Sequence, residues 1–381
     1  MRTVGVEEEL LLVDGRTGEP RAVAGAVLRR AAATSDAGPN AHPDEQAQGG
    51  ADADQPGGTL DAELHQQQVE TDTPPQTDLG RLAEQLRGWR RRADLAARGE
   101  GARVAALATS PLPVTPRTTP KPRYLRMAEH FGLTQSELLT CGCHVHVSVE
   151  SPDEGVAVLD RIRVWLPVLT ALSANSPYWQ GEDSGYASFR SQAWGRWPTA
   201  GPIEVQGSVD RYRALVDGLV ASGVALDEGM VYFDARLSAH YPTLEVRVAD
   251  VCLRVEDAVL VAALVRGLVD TAAREWHEGV PAPDVPVTLV RLAGWRAGRS
   301  GLDDVLLHPA DLRPRAAGDV VAALVQHVRP ALEASGDTAI VDELVTDLLG
   351  RGTGARRQRA VLARDGGLAD VVLDAVRVTG S

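Results

Sequence analysis

Carboxylates recur in this chain at a spacing that places them together. The opening segment TVGVEEELLLVD runs from Thr3 to Asp14 and reads as a strand. Strand alternation sends Glu7 and Glu9 to one face with Gly5, and Glu8 to the other among Val4, Val6 and Leu10. Two carboxylates about 4 Å apart repel by roughly 4 kcal/mol at an effective dielectric near 20. A semi-buried pair therefore needs a cation, an arginine or a proton between its members.

The rest of the chain offers partners. AELHQQQVE contributes Glu63 and Glu70, and TLEVRVAD places Glu245 and Arg247 on the face of a strand opposite Leu244, Val246 and Val248. CGCHVHVSV packs two cysteines and two histidines together, which suggests zinc. Alternation argues against it, because His144 and His146 share one face while Cys141 and Cys143 point to the other. Taken singly, the histidines could be hydrogen-bonded members of a polar sheet face, and Glu245 with Arg247 an ordinary ion pair. Four strands carrying acids, imidazoles or guanidinium on one face describe a concave surface that binds divalent cations and an anion. Glutamate oxygens with an imidazole suit Mg²⁺ or Mn²⁺. Such ions bridge phosphates, yet the chain has no G-x-x-x-x-G-K-[ST] motif, and GRGTGARRQR from Gly350 does not match it. A bound nucleotide would be held by metals and arginines.

Composition narrows the partners. The 381 residues are 44% hydrophobic and 24% charged, enough for a sizeable core, and a net charge of −13 lacks the basic footprint of nucleic-acid binding. Small molecules are the expected partners, and homo-oligomerisation is left open. No stretch reaches the roughly 18 apolar residues of a membrane span, and no basic-then-apolar leader opens the chain. Three cysteines, an odd count, fit a reducing compartment, so the expected location is cytoplasmic.

The elements that must position these residues follow from periodicity and breakers. The segment from Ala33 to Gly58, rich in Gly, Asp and Gln, reads as a mobile loop. TLDAELHQQQVETDTPP reads as one strand ending at Pro74-Pro75, followed by a helix over 79–98 with Leu82, Leu86 and Trp89 at helical spacing. ARVAALATSPLP and TCGCHVHVSVE read as further strands, and VYFDARLSAHYPTLEVRVADV as two strands joined by a turn. Helices are expected over 154–174 and 208–227, flanking a long connection that holds Trp179, Trp194, Trp197, Tyr186 and Phe189. Loops of that length and aromatic content are usually functional. From Val255 onward the chain reads as mostly helical, near 255–277, 317–334, 338–349 and 355–377. Strands early and helices late imply an α+β fold around one largely antiparallel sheet.

TVGVEEELLLVD, AELHQQQVETDTPP, GCHVHVSV, NSPYWQGEDSGYASFRSQAWGRWP and LEVRVADV, in that order, resemble type 2 glutamate-cysteine ligases, bacterial carboxylate-amine ligases related to glutamine synthetase. The resemblance runs from Thr3 to Arg359. It implies a glutamine-synthetase-like catalytic domain over residues 1–381, its sheet packed by helices, with ATP as co-substrate. By the same resemblance Glu7, Glu9, Glu63, Glu70 and Glu245 are metal ligands, with His144 or His146 as the imidazole. Arg247, Arg190 and Arg236 are implied to hold phosphate or carboxylate oxygens, Arg247 and Arg236 those of the nucleotide. Glu8, on the opposite face, is expected to be a structural ion-pair partner. The implied reaction activates glutamate as an acyl phosphate and joins it to an amine such as cysteine. A metal-dependent amide hydrolase and an inert metabolite-binding homologue are the alternatives.

Overall fold

The computed structural model describes residues 1–36 and 57–381. The first strand, β1 (Val4–Asp14), is followed by helix α1 (Ala24–Asp36). Then come β2 (Leu60–Ala62), β3 (Gln68–Asp72), α2 (Leu79–Arg98) and β4 (Ala102–Ala105). Two helices, α3 (Pro122–Phe131) and α4 (Leu133–Glu137), precede β5 (Gly142–Ser148). Helices α5 (Pro152–Ile162) and α6 (Leu166–Leu172) lead into a connection carrying the small hairpin β6 (Tyr178–Trp179) and β7 (Glu182–Asp183) and helix α7 (Phe189–Trp194). After α8 (Val209–Ala221), strands β8 (Ala235–Leu237) and β9 (Thr243–Asp250) complete the sheet. The remainder comprises α9 (Val255–His277), α10 (Val287–Ser300), the ribbon β10 (Val305–Leu307) and β11 (Pro314–Ala316), and α11 (Ala317–Ser335), α12 (Thr338–Arg351), α13 (Gly354–Asp365) and α14 (Leu368–Thr379).

The main sheet runs β2-β3-β1-β5-β9-β8, with β4 pairing the C-terminal half of β1, and every pairing is antiparallel. This is the α+β architecture expected. One face buries Val4, Val6, Val145, Val147, Leu244 and Val246 against α2, α5 and α9. Helix α9 is buried continuously from Ala258 to Val269 and apolar there except for Arg266, which pairs with Asp337, as suits a helix at the centre of a core. The opposite face carries the acids. No helix among the described residues is long and apolar enough to cross a membrane.

Several expectations need correction. The single strand read over TLDAELHQQQVETDTPP is the hairpin β2–β3, broken where His65 and Gln67 bury their side chains in the turn, so Glu63 follows β2 instead of sharing a strand with Glu70. The helix read over 154–174 is two, interrupted at 163–165, and that read over 355–377 divides at Gly366, whose φ of 81° ends α13. Of the loop read over 33–58, residues 33–36 belong to α1, and 37–56 lie outside the described residues. Helices α1, α3 and α10 were not anticipated.

Candidate active site

Strand register assembles the acids. In the pairing of β1 with β3, Glu9 stands opposite Glu70; in its pairing with β5, Glu7 stands opposite His144. His146 then faces Glu245 on β9, which faces Arg236 on β8. One ligand atom each from Glu7, His144 and Glu245 falls within 4.8 Å of the others. Glu9, Glu63, Glu70, Arg236 and Arg247 join Glu7 and His144 around one cavity of about 200 Å³. Four of the five carboxylates gathered from sequence therefore line it, and Glu245 stands just outside, grouped with Glu7 and His144. Of the cations, Arg190 does not enter this cavity, and neither does His146.

Electrostatics separates the two histidines. Nδ1 of His144 lies 3.2 Å from Glu7, and its Nε2 is buried without a hydrogen-bond partner. Burial, then the charge of Arg247, pushes the His144 imidazole below its ordinary pKa, leaving it neutral, the form that ligates metal. His146 behaves oppositely. Its Nδ1 pairs with the Thr243 hydroxyl at 3.1 Å and its Nε2 lies 3.0 Å from Glu7. Burial opposes its charge, but Glu7 and Glu245 raise its pKa overall. The same contacts act on Glu7: burial resists ionisation, yet His146 and His144 hold the carboxyl well below the usual range.

Glu63 and Glu70 are less compensated. Burial, then the charge of Glu9, lifts Glu63 to about 7. Burial with the charges of Glu7, Glu63 and Glu9 carries Glu70 well above the carboxylate range. Glu9 turns one oxygen to the Gly142 amide, which donates at 2.6 Å. Glu245 is ionised despite burial, because Arg247, His146 and Arg236 bring it to about 2. Oxygen donors around one neutral imidazole, with mutual repulsion for a cation to relieve, fit Mg²⁺ or Mn²⁺.

The arginines occupy distinct places. Arg236 donates to both oxygens of Glu245, at 2.6 and 3.3 Å. Arg247 also donates to Glu245, keeps a buried Nε without an acceptor, and lies over the rings of Trp194 and Tyr232, each at 5.9 Å. Arg190 stacks on Trp194 from 5.6 Å and reaches the carbonyls of Arg247 and Val248 at 3.3 and 3.5 Å. Its place is fixed by Asp250, which is fully buried and accepts from Asn175 N–H and from the Ser176 and Ser188 hydroxyls at 2.7–2.8 Å. Ser176 in turn accepts from the Arg190 amide at 3.0 Å.

Sequence reasoning missed the wall facing the acids, formed by Arg123, Tyr124 and Met127 of α3 with Tyr232. The aromatic enrichment of the long connection did signal Trp194 and Trp197, which complete that wall. GRGTGARRQR also gains a meaning. A Cβ on Gly354 would lie within 2.1 Å of the Asn175 side chain, and Gln358 donates to Asn175, so this segment clamps the start of the aromatic connection.

Residues 3–374 match the model of glutamate-cysteine ligase family 2 (GCS2). A relative from Streptomyces avermitilis, provisionally named glutamate–cysteine ligase 2-1, is 54% identical over 379 residues, covering 100% of this chain and 99% of its own. The crystal structure of a glutamate–cysteine ligase from Francisella tularensis in complex with AMP shares the fold, with a TM-score of 0.68 at 13% identity over 100% of this chain and 88% of that one. A bifunctional glutathione synthetase from Pasteurella multocida gives 0.67 at 15% identity over 99% of this chain and 52% of its own. With the matched family spanning nearly its whole length, the chain belongs to glutamate-cysteine ligase family 2.

Proposed function

We propose that the protein is an ATP-dependent carboxylate–amine ligase that activates glutamate as an acyl phosphate and joins it to an amine, cysteine being the family's eponymous case. The observation that carries this reading is the convergence of Glu7, Glu9, Glu63, Glu70, His144 and Glu245 on one sheet face beside Arg247 and Arg236. These six residues would hold Mg²⁺ or Mn²⁺, which neutralises phosphate charge when bound.

The chain's own groups supply alignment. Arg236 and Arg247 are buried or half-buried, anchored on Glu245, and retain donors for anionic oxygens. The Trp194–Trp197–Tyr232 wall limits water around the reacting carboxylate. In the first step a carboxylate oxygen bonds to the γ-phosphorus as the bond to the β-phosphate oxygen breaks, releasing ADP. The amine nitrogen then bonds to the acyl carbon, the carbon–oxygen bond to phosphate breaks, and the nitrogen loses a proton. A covalent acyl-enzyme has no support: Cys141, Cys143 and Cys252 are buried and none lines the cavity.

Hydroxylamine provides the test. With Mg²⁺, ATP and glutamate, it should trap a glutamyl hydroxamate with stoichiometric ADP, and omission of ATP or chelation of metal should abolish both. Amide hydrolysis without ATP would replace the ligase with a metal-dependent hydrolase.

A further inference from the structure

The acid-lined cavity is flanked by two larger ones, each of about 450 Å³. The first shares Glu7 and Arg236 with it and continues past Glu245, His146 and Tyr212. With the candidate metal ligands Glu7 and Glu245 on its lining beside Arg236, that side continues the metal-binding face and is assigned to the nucleotide. The second shares Trp194, Tyr232 and Arg247 with it and opens beside α10. The reaction as described gives it no occupant.

Its construction points to one. Pro167, Phe233, Val248, Val290, Trp194 and Trp295 form apolar walls. Two opposite charges face the same space without bridging each other: Asp234, whose side chain has no hydrogen bond or ion pair among the described residues, and Arg291, likewise unpaired. Their mutual influence is nonetheless felt, since burial lifts Asp234 to about 7 while Arg291 and then Arg190 pull it down. Arg190 is 2% exposed and keeps an unpartnered Nε at this wall. A buried guanidinium nitrogen left open beside a half-buried carboxylate and an apolar cleft is the pattern of a ligand site, with Arg291 an exposed charge at the same cleft.

We propose that this cavity receives the amine co-substrate, and that the amine is an α-amino acid with a side chain larger and more apolar than that of cysteine. The proposal rests on the ligase reading. The ammonium group meets Asp234, the α-carboxylate meets Arg291, and the side chain lies along Trp194 and Trp295. Asp234 adjoins Arg247 through the Arg247 N–H, which donates to its carbonyl at 2.9 Å, so an amine held there sits at the partition with the acid-lined cavity. Volume sets the size class. Cavities of about 300–1,000 Å³ hold drug-sized ligands, whereas cysteine, with its –CH2–SH side chain, would leave most of 450 Å³ to water.

Gly294 makes the test specific. It lines the cavity on α10, and a Cβ added there meets nothing within 4 Å, so Gly294→Phe narrows the space without forcing the backbone. Steady-state ADP release with ATP, Mg²⁺ and glutamate is measured against L-phenylalanine, L-cysteine and glycine. The wild type should prefer L-phenylalanine, and Gly294→Phe should cut the ratio of kcat/KM for L-phenylalanine over glycine by about tenfold or more. Asp234→Asn should raise the KM for L-phenylalanine by about tenfold while changing kcat less. This second variant keeps the test open if the first folds poorly. Hydroxamate formation by the wild type separates the two readings. If the hydroxamate forms but cysteine or glycine is preferred and neither variant changes selectivity, the cavity assignment fails and the ligase stands. If no hydroxamate forms, both fall.

Discussion

Arg90 closes Nε and Nη2 on the two oxygens of Glu8, at 2.8 and 2.6 Å, in a pair exposed by no more than 1%. Its remaining donors reach the Leu253 and Cys252 carbonyls at 3.0 and 2.7 Å. Of three consecutive glutamates, the middle one is thus neutralised inside the core from α2, while its neighbours are left to the opposite face.

Substitutions along this strand should therefore separate stability from function. Glu8→Gln leaves a buried guanidinium without its counter-charge and should cost about 3–5 kcal/mol. Glu7→Gln removes the partly exposed carboxylate that pairs with His144 and His146 and should cost about 1–2 kcal/mol, less than Glu8→Gln, while abolishing ATP turnover. Urea denaturation beside ADP release checks both. Equal destabilisation by the two variants would contradict the division of faces.

His144 and His146 should differ as metal ligands. His144→Asn removes the neutral imidazole grouped with Glu7 and Glu245 and should weaken Mn²⁺ binding by about 10- to 100-fold. His146→Asn removes an ion-pair partner of Glu7 and should weaken it far less. Calorimetric titration with Mn²⁺ reads the difference, and a larger loss in His146→Asn would reverse the assignment.

Arg247→Lys preserves charge but removes the planar fork that spans Glu245 and the acid-lined cavity. The loss of one or two charge-assisted hydrogen bonds should lower kcat about 10- to 100-fold. Wild-type kinetics in this variant would confine Arg247 to a structural ion pair.

Acid should act on stability through His65. The residue is fully buried, and burial pushes its imidazole down to about 4. A depressed folded-state pKa means that the unfolded chain binds its proton first as pH falls. The contribution is present above the unfolded pKa, near 6.5, and is lost progressively down to about 4, roughly 3 kcal/mol in all. Glu63, raised to about 7, has the opposite sign, because the native state binds its proton first between its unfolded pKa of 4.5 and 7. The difference in urea stability between wild type and His65→Gln, followed from pH 7 to 4.5, isolates the histidine. A pH-independent difference would refute it.

Local pattern carried much of this protein. The period of two in VGVEEELLLV separated Glu8 from Glu7 and Glu9, and the period in HVHV kept both histidines off the cysteine face, because pleating alone dictates those directions. Helix α2 was legible through the helical spacing of Leu82, Leu86 and Trp89, and α9 through its long apolar run. Neighbours across strands were not. Pairing with β1 sets His144 opposite Glu7, while pairing with β9, whose register shifts between Cys143 and Val145, sets His146 opposite Glu245, and both imidazoles end up around Glu7. Likewise, nothing local places Arg190 behind Trp194, aims α3 at the acids, or leaves Asp234 and Arg291 facing one cavity. Periodicity fixes which way a side chain points from its own element, while the distance to another element is set only when the sheet pairs and the core packs.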